Sequence, residues 1–246
     1  MIQTRPAPTA MDADLGADLH IRIPAPSANR KLPARASLQA LQQTLPISSD
    51  AAHATGAQLI SVTGGAHLSI ALTLGAAFPE TRFATMEVTD RFGNEWSSQP
   101  LGAAPEIIET ELPLTAPTVD GPAAVAVALT ANPDTRAFDA LISDGGFAAA
   151  TRLDLANFDP LNTTQGGALA ADLANRIKRI AREKGSSQVH LAFQGPFTVA
   201  VLLGRLLNTI RAVVYEWDDT VMPARYRPVV TLGLGYAESP IVAINT

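Results

Sequence analysis

The chain has no cysteine among its 246 residues, which excludes a disulfide scaffold, a thiolate nucleophile and any zinc site built on Cys ligands. Histidine is scarce as well: His20, His53, His67 and His190 are the four. No two of them stand at the i, i+4 spacing that brings two imidazoles onto one helix face, so no metal site is expected. No run approaches the roughly 20 apolar residues a membrane helix needs. The N-terminus, "MIQTRPAPTAMDADLGADLH", lacks the basic start and apolar core of a secretory signal, and the sequence reads as cytoplasmic. Basic charge is in deficit, 18 residues against 23 acidic for a formal charge of -5. That argues against the broad basic face a nucleic-acid duplex requires. A nucleotide-sized ligand stays open, because backbone N–H groups at helix N-termini hold phosphates without net positive charge.

Hydrophobic residues make up 47% and charged residues 17%, a globular composition on a chain long enough for one large domain or two fused small ones. Residues 1–35 form a Pro-rich extension with Pro6, Pro8, Pro24, Pro26 and Pro33, which resists long helices but leaves "LHIRIP" as one strand. "SLQALQQTL" predicts a short helix with a Ser cap and apolar residues at Leu38, Leu41 and Leu45. From Gln58 the pattern sharpens: "QLISVTGG" reads as a buried strand, "AHLSIALTLGAAF" as a helix and "RFATMEVTD" as a strand, a βαβ unit with a parallel sheet. A Pro-rich connection with Pro100, Pro105, Pro113, Pro117 and Pro122 then reads as a seam. Beyond it, "PAAVAVALTANP" and "FDALISDGG" are strand candidates. "TTQGGALAADLANRIKRIAREKG" is a helix, capped by Thr163 or Thr164 and stopped by Gly185. The Arg and Lys residues of its last turns read as a solvated face that suits the helix dipole, with a contact surface as the alternative.

The chain repeats itself. Residues 58–90 align with residues 188–219 at an offset of 129 through the helix and second strand, so that Ala71 meets Ala200, Gly75 meets Gly204, Glu87 meets Glu216 and Asp90 meets Asp219. Any two βαβ units look alike, but the coincident internal glycine and acidic residues favour a duplication. The expected fold is α/β, with two fused Rossmann-like halves, residues 36–115 and 116–246, parallel sheets and a pseudo-two-fold internal repeat. Open α/β sheets bind ligands at the carboxyl ends of their strands, so a composite pocket between the halves is expected.

The strand-to-helix turns carry the candidate chemistry: Thr63, Gly64, Gly65 and His67 in the first half, Phe193, Gln194, Gly195 and Pro196 in the second. Glycine lets a backbone approach a ligand closely, and the following helix N-terminus points unsatisfied N–H groups at it; a plain tight turn is the alternative. Pro196 suits the first helical position. No Walker pattern and no G-x-G-x-x-G is present, and "GAHLS" is not a nucleophile elbow. Trp96, Phe193, Phe197, Trp217 and Tyr226 fall at or just beyond predicted strand ends, where rings can stack on bases. Phe193 and Phe197 read equally well as core, whereas Trp96 and Trp217, beside charged residues, are expected to be partly exposed.

With these residues in view, "VHLAFQGPFTVAVLLGRLLN", "VVYEWDD" and "YRPVVTLGLG" resemble the C-terminal part of a SAVED domain, and the resemblance extends over roughly residues 36–236. SAVED domains are cyclic-oligonucleotide sensors of bacterial antiphage signalling, similar to two fused CARF-like halves. The resemblance implies a receptor that binds a cyclic oligonucleotide, a tri- or tetranucleotide by preference, made by a CBASS cyclase or a type III CRISPR complex. It implies self-association on binding, activation of an effector protein or domain, and no catalysis or cofactor in the sensor itself. By position, Thr63, Gly64, Gly65, His67, Phe193, Gln194, Gly195 and Pro196 become phosphate-proximal, and Trp96, Trp217 and Tyr226 candidate base-stacking residues. Family members usually carry a fused effector domain, whereas here only about 35 Pro-rich residues precede the first half; the effector is then a separate chain or lies outside this portion. The alternatives are a ring nuclease that degrades the same ligand and a non-binding structural subunit of a defence complex.

Overall fold

A computed structural model describes residues 2–3, 21–22, 32–131, 133–157, 159–233 and 239–246. Strands β1 (Ile2–Gln3) and β2 (Ile21–Arg22) come first, so two residues of the expected "LHIRIP" strand are in a strand and the rest lie outside the described residues. Helix α1 (Arg35–Ala54) runs well past the predicted segment, through Pro46. A proline inside a helix removes the N–H that would serve the carbonyl four residues back. Here that carbonyl, Gln42 O, accepts instead from Ser239 Oγ at 3.0 Å, and Leu38, Leu41 and Leu45 stay buried along one face.

Then follow β3 (Leu59–Gly65), α2 (Leu68–Ala77), β4 (Thr85–Thr89) and β5 (Glu95–Ser97). One sheet has the order β2-β1-β3-β4-β5, parallel except for the antiparallel edge pair β4–β5. The chain continues with β6 (Ile107–Leu112), β7 (Ala123–Ala128), α3 (Arg136–Ser143), β8 (Ala149–Leu155), α4 (Gly166–Glu183), β9 (Gln188–Gln194), α5 (Phe197–Gly204), β10 (Arg211–Asp218), β11 (Arg225–Leu232) and β12 (Ile241–Ile244). The second sheet has the order β12-β11-β10-β9-β7-β8-β6, with β10, β9, β7 and β8 parallel and β6, β11 and β12 added antiparallel at the edges.

The α/β class is as expected, with antiparallel strands added at the edges of the parallel sheets. Several expectations are corrected. The Pro-rich seam contains β6, which pairs with β8 in the second sheet although it precedes the expected division at residue 115. "FDALISDGG" is not a strand: most of it lies in α3, where Ala137, Phe138 and Ile142 are buried and Phe138 and Ile142, about one turn apart, share a face. The strand at this point of the chain is β8. Asn162, not Thr163 or Thr164, caps the turn before α4: its side chain accepts from Thr164 N, and Gln165 returns a bond to Asn162 N.

The internal repeat is physical. Helices α2 and α5 pack against each other, eight of ten residues buried in α2 and seven of eight in α5. At the crossing, a Cβ on Gly75 would lie 2.0 Å from Val201 O, and one on Gly204 would lie 2.1 Å from Leu72 O. The offset of 129 that aligns Gly75 with Gly204 also aligns Leu72 with Val201, so the contact is the same patch meeting itself, as at an isologous interface. Only glycine permits backbones this close. A second pair of glycines fits α4 to the first sheet: Gly166 leaves 2.8 Å between its would-be Cβ and Trp96 Cε3, and Gly167 leaves 2.6 Å to Ser98 O and Gln99 O.

Candidate functional site

The two strand-to-helix turns are the C-terminal ends of β3 and β9. In the first, Gly64 has φ of 123°, a conformation that disfavours any other residue. Gly65 follows, and a Cβ placed on it would meet nothing within 4 Å. His67 caps α2 and is buried at 4% exposure. In the second, residues 194–197 are all half-buried. Gly195 packs against its neighbours, its would-be Cβ 3.0 Å from the Phe193 ring and 3.1 Å from Leu129 Cβ. Pro196 is one position earlier than expected, the cap of α5 rather than its first residue, with ψ of 142°.

A carboxylate joins the halves at this end of the molecule. Glu216, near the end of β10, is 6% exposed, and its Oε1 accepts from Ser69 N in the first turn of α2 at 2.6 Å. The first N–H groups of a helix lack intrahelical acceptors and carry the positive end of its dipole, so a carboxylate is well placed there. The same bond draws the C-terminal edge of the second sheet to the N-terminus of α2, bringing the two turns into one region. Two buried hydroxyls at equivalent positions, Ser69 Oγ and Thr198 Oγ1, have no hydrogen-bond partner.

The aromatic candidates do not gather on this region. Trp96 is only 6% exposed, set in the core over Gly166, with Nε1 donating to Asp90 Oδ2 at 3.2 Å; its expected partial exposure does not hold. Burial alone would raise the Asp90 pKa, but hydrogen bonds from Asn94, Trp96 and Phe92 outweigh it and hold the group below the usual carboxylate value. Phe193 is core at 3% exposure, and Phe197 packs on the same core half-buried. Successive residues of a strand face opposite ways, so Trp217 lies on the side of β10 away from Glu216, opposite Tyr226 on β11. Trp217 is 39% exposed. Tyr226 is buried with Ala137, Phe138 and Ile142 of α3.

The Tyr226 hydroxyl accepts from Gln194 Nε2 at 2.5 Å, and Gln194 also reaches Asp134 O at 3.3 Å. Burial pushes the Tyr226 pKa up to about 12, with the negative charges of Glu216 and Asp134 adding to the effect against the Gln194 bond. Asp134 itself is held below the usual carboxylate value by its hydrogen bonds from Arg136. The residues of this region that the sequence did not put forward as candidates are Glu216, Ser69, Thr198 and Asp134. The coincidence of Glu87 with Glu216 in the repeat was the available signal for the first of them.

A cavity of about 220 Å³ lies at the other end of α5, between Glu80, Ser98, Gln99 and Arg205; Arg205 is buried there and donates to Phe83 O at 2.7 Å. No group of three or more potential metal ligands occurs among the described residues. No helix among them is long and apolar enough to cross a membrane.

The model of the SAVED family, the "SMODS-associated and fused to various effectors sensor domain", matches residues 40–232. Among solved structures, the Acinetobacter baumannii Cap4 SAVED/CARF-domain containing receptor with the cyclic trinucleotide 3'3'3'-cAAA is similar at a TM-score of 0.67 and 19% identity, over 94% of this chain and 51% of that one. The same receptor with 2'3'3'-cAAA gives 0.65 and 20%, over 80% and 44%. The Moraxella osloensis Cap4 receptor gives 0.59 and 18%, over 80% and 42%. The chain therefore spans about half the length of these receptors, and at such identities the likeness is one of fold. Comparison with curated proteins returns no match.

Proposed function

Because the chain belongs to the SAVED family, we propose that it is the sensing unit of a bacterial antiphage pathway, a receptor that binds a cyclic oligonucleotide across its two strand-to-helix turns. The observation that supports this reading is the bond from Ser69 N in the first turn of α2 to Glu216 Oε1 near the end of β10, beside the reciprocal glycine crossing of α2 and α5; that the two turns form one composite site is part of the proposal. The structural neighbours include a receptor crystallised with cyclic trinucleotides, so an all-adenine cyclic trinucleotide is the first ligand to try. Thr63, Gly64 and Gly65 line one side of the proposed pocket and Gln194, Gly195 and Pro196 the other. Self-association on binding, and passage of the signal to an effector in a CBASS or type III CRISPR setting, complete the proposal.

A receptor is favoured over a ring nuclease because His67, the histidine at these turns, is a buried helix cap, poorly placed to act as a base on a bound phosphodiester. Isothermal calorimetry with cyclic di-, tri- and tetraadenylates and mixed-base rings tests the reading. Saturable binding of at least one ring is expected, with the ring recovered intact after incubation. Failure of every ring to bind overturns the receptor, and linear products would make the protein an enzyme.

A further inference from the structure

The repeat supplies its own control. At the N-terminus of α2, Ser69 N gives its hydrogen to Glu216 Oε1, a carboxylate from the opposite half. The offset of 129 turns this pair into Thr198 N and Glu87, yet Glu87, half-buried on β4, makes no such bond. One helix N-terminus is filled from within and its twin is not. We infer that Glu216 is a specificity-determining residue: it acts as a built-in anion that keeps ligand phosphate off the α2 turn, so that an incoming phosphate is held at the α5 turn.

The physics favours this division. A helix N-terminus offers N–H donors and positive potential to one anion at short range. Once a carboxylate is fixed there, a phosphate at the same turn meets like charge at close quarters, inside a site where burial weakens screening. Glu216 is 6% exposed and cannot swing out to water without breaking its bond to Ser69. At α5 the corresponding donors stand beside residues 194–197, which are half-buried and open at the surface. Thr198 is buried at 2% exposure, its hydroxyl has no partner, and its Cα–Cβ bond leans toward the helix N-terminus; Ser69 is alike in all three respects at the α2 turn, so it is the carboxylate that separates the two turns. The two turns are then unequal partners. The α5 side takes phosphate, and the α2 side, where a carboxylate already holds Ser69 N, suits groups that donate hydrogen bonds, such as a sugar hydroxyl or an exocyclic amine of a base.

This inference rests on the composite site proposed above, but its test does not require the cyclic ligand. Amide-resolved NMR is recorded while inorganic phosphate is titrated into the full chain and into Glu216→Ala. In the wild type the amides of Phe197 and Thr198 are expected to shift and those of Leu68 and Ser69 to stay; in Glu216→Ala all four shift. Movement of Leu68 and Ser69 in the wild type, or none at Phe197 and Thr198, or an α2 terminus still silent in Glu216→Ala, overturns the inference. Glu216→Gln, which keeps an acceptor for Ser69 N and removes the charge, guards against a folding defect in the alanine variant. Where a ring binds the wild type, Glu216→Gln is expected to bind it about tenfold more tightly, and unchanged or weaker binding then overturns the inference equally. If the phosphate pattern holds while no ring binds the wild type, the receptor reading fails and the role of Glu216 stands.

Discussion

The two glycines of the turns are chemically identical and structurally opposite, which separates their mutants. A side chain on Gly65 enters open space, whereas one on Gly195 meets Phe193 and Leu129 at 3.0 to 3.1 Å. Gly65→Leu is expected to unfold in urea within about 0.5 kcal/mol of the wild type yet to weaken ring binding by about tenfold or more, because it fills the space proposed for ligand. Gly195→Val is expected to lose about 1 to 3 kcal/mol of stability through overpacking. Equal stability losses for the two would contradict this. Tyr226 gives a pH signature. Its folded-state pKa of about 12 exceeds the unfolded value near 10, so the folded chain holds the proton longer. The contribution is complete below about pH 10 and is lost as pH rises toward 12, amounting to about 2 to 3 kcal/mol. Denaturation from pH 8 to 12 should show this decline, and Tyr226→Phe should flatten it. Residues were the hardest scale to read from sequence. Trp96 sits beside Glu95, and the neighbouring charge suggested exposure; in a strand, adjacent residues face opposite ways, so a charged neighbour is as good a sign of burial, and Trp96 is buried.

At the scale of elements the repeat was legible because strand and helix periods are written locally, and the coincidence of Gly75 with Gly204 was visible before its reason was. The reason is non-local: each glycine is required by a carbonyl on the other helix. Gly75→Ala and Gly204→Ala should each cost about 3 kcal/mol in urea unfolding, against the roughly 1 kcal/mol gain an exposed helix would show. In the double variant the second change should cost less than the first, since the helices have already been pushed apart; strict additivity would mean that the two glycines do not share one contact. Helix α3 was misread as a strand because eight residues give little more than two turns of periodicity. The extension of α1 past Pro46 was illegible for a different cause, since the donor that replaces the lost hydrogen bond comes from Ser239, nearly 200 residues away.

For the whole molecule the expected two-part plan was readable, but not where the parts meet. Prolines marked residues 100–122 as a connection, and nothing local could tell that Ile107–Leu112 pairs with Ala149–Leu155. Nor could it tell that α2, buried nearly all round, needs α5 beside it. A fragment of residues 36–115 is therefore expected to show no cooperative transition by circular dichroism in urea, and a cooperative one would restore the simpler division. Helix α1 also ties the start of this body to its end: Arg35 Nη1 donates to Thr246 O at 2.6 Å, Gln42 Nε2 to Ile241 O at 2.9 Å, and Ser239 Oγ to Gln42 O. From residue 35 to residue 246 the chain is nearly a closed ring, and its order of synthesis is one of several places where that ring can be cut. A permuted chain that joins 246 to 35 by a short linker and opens between β5 and β6 would keep every strand pairing from β3 to β12.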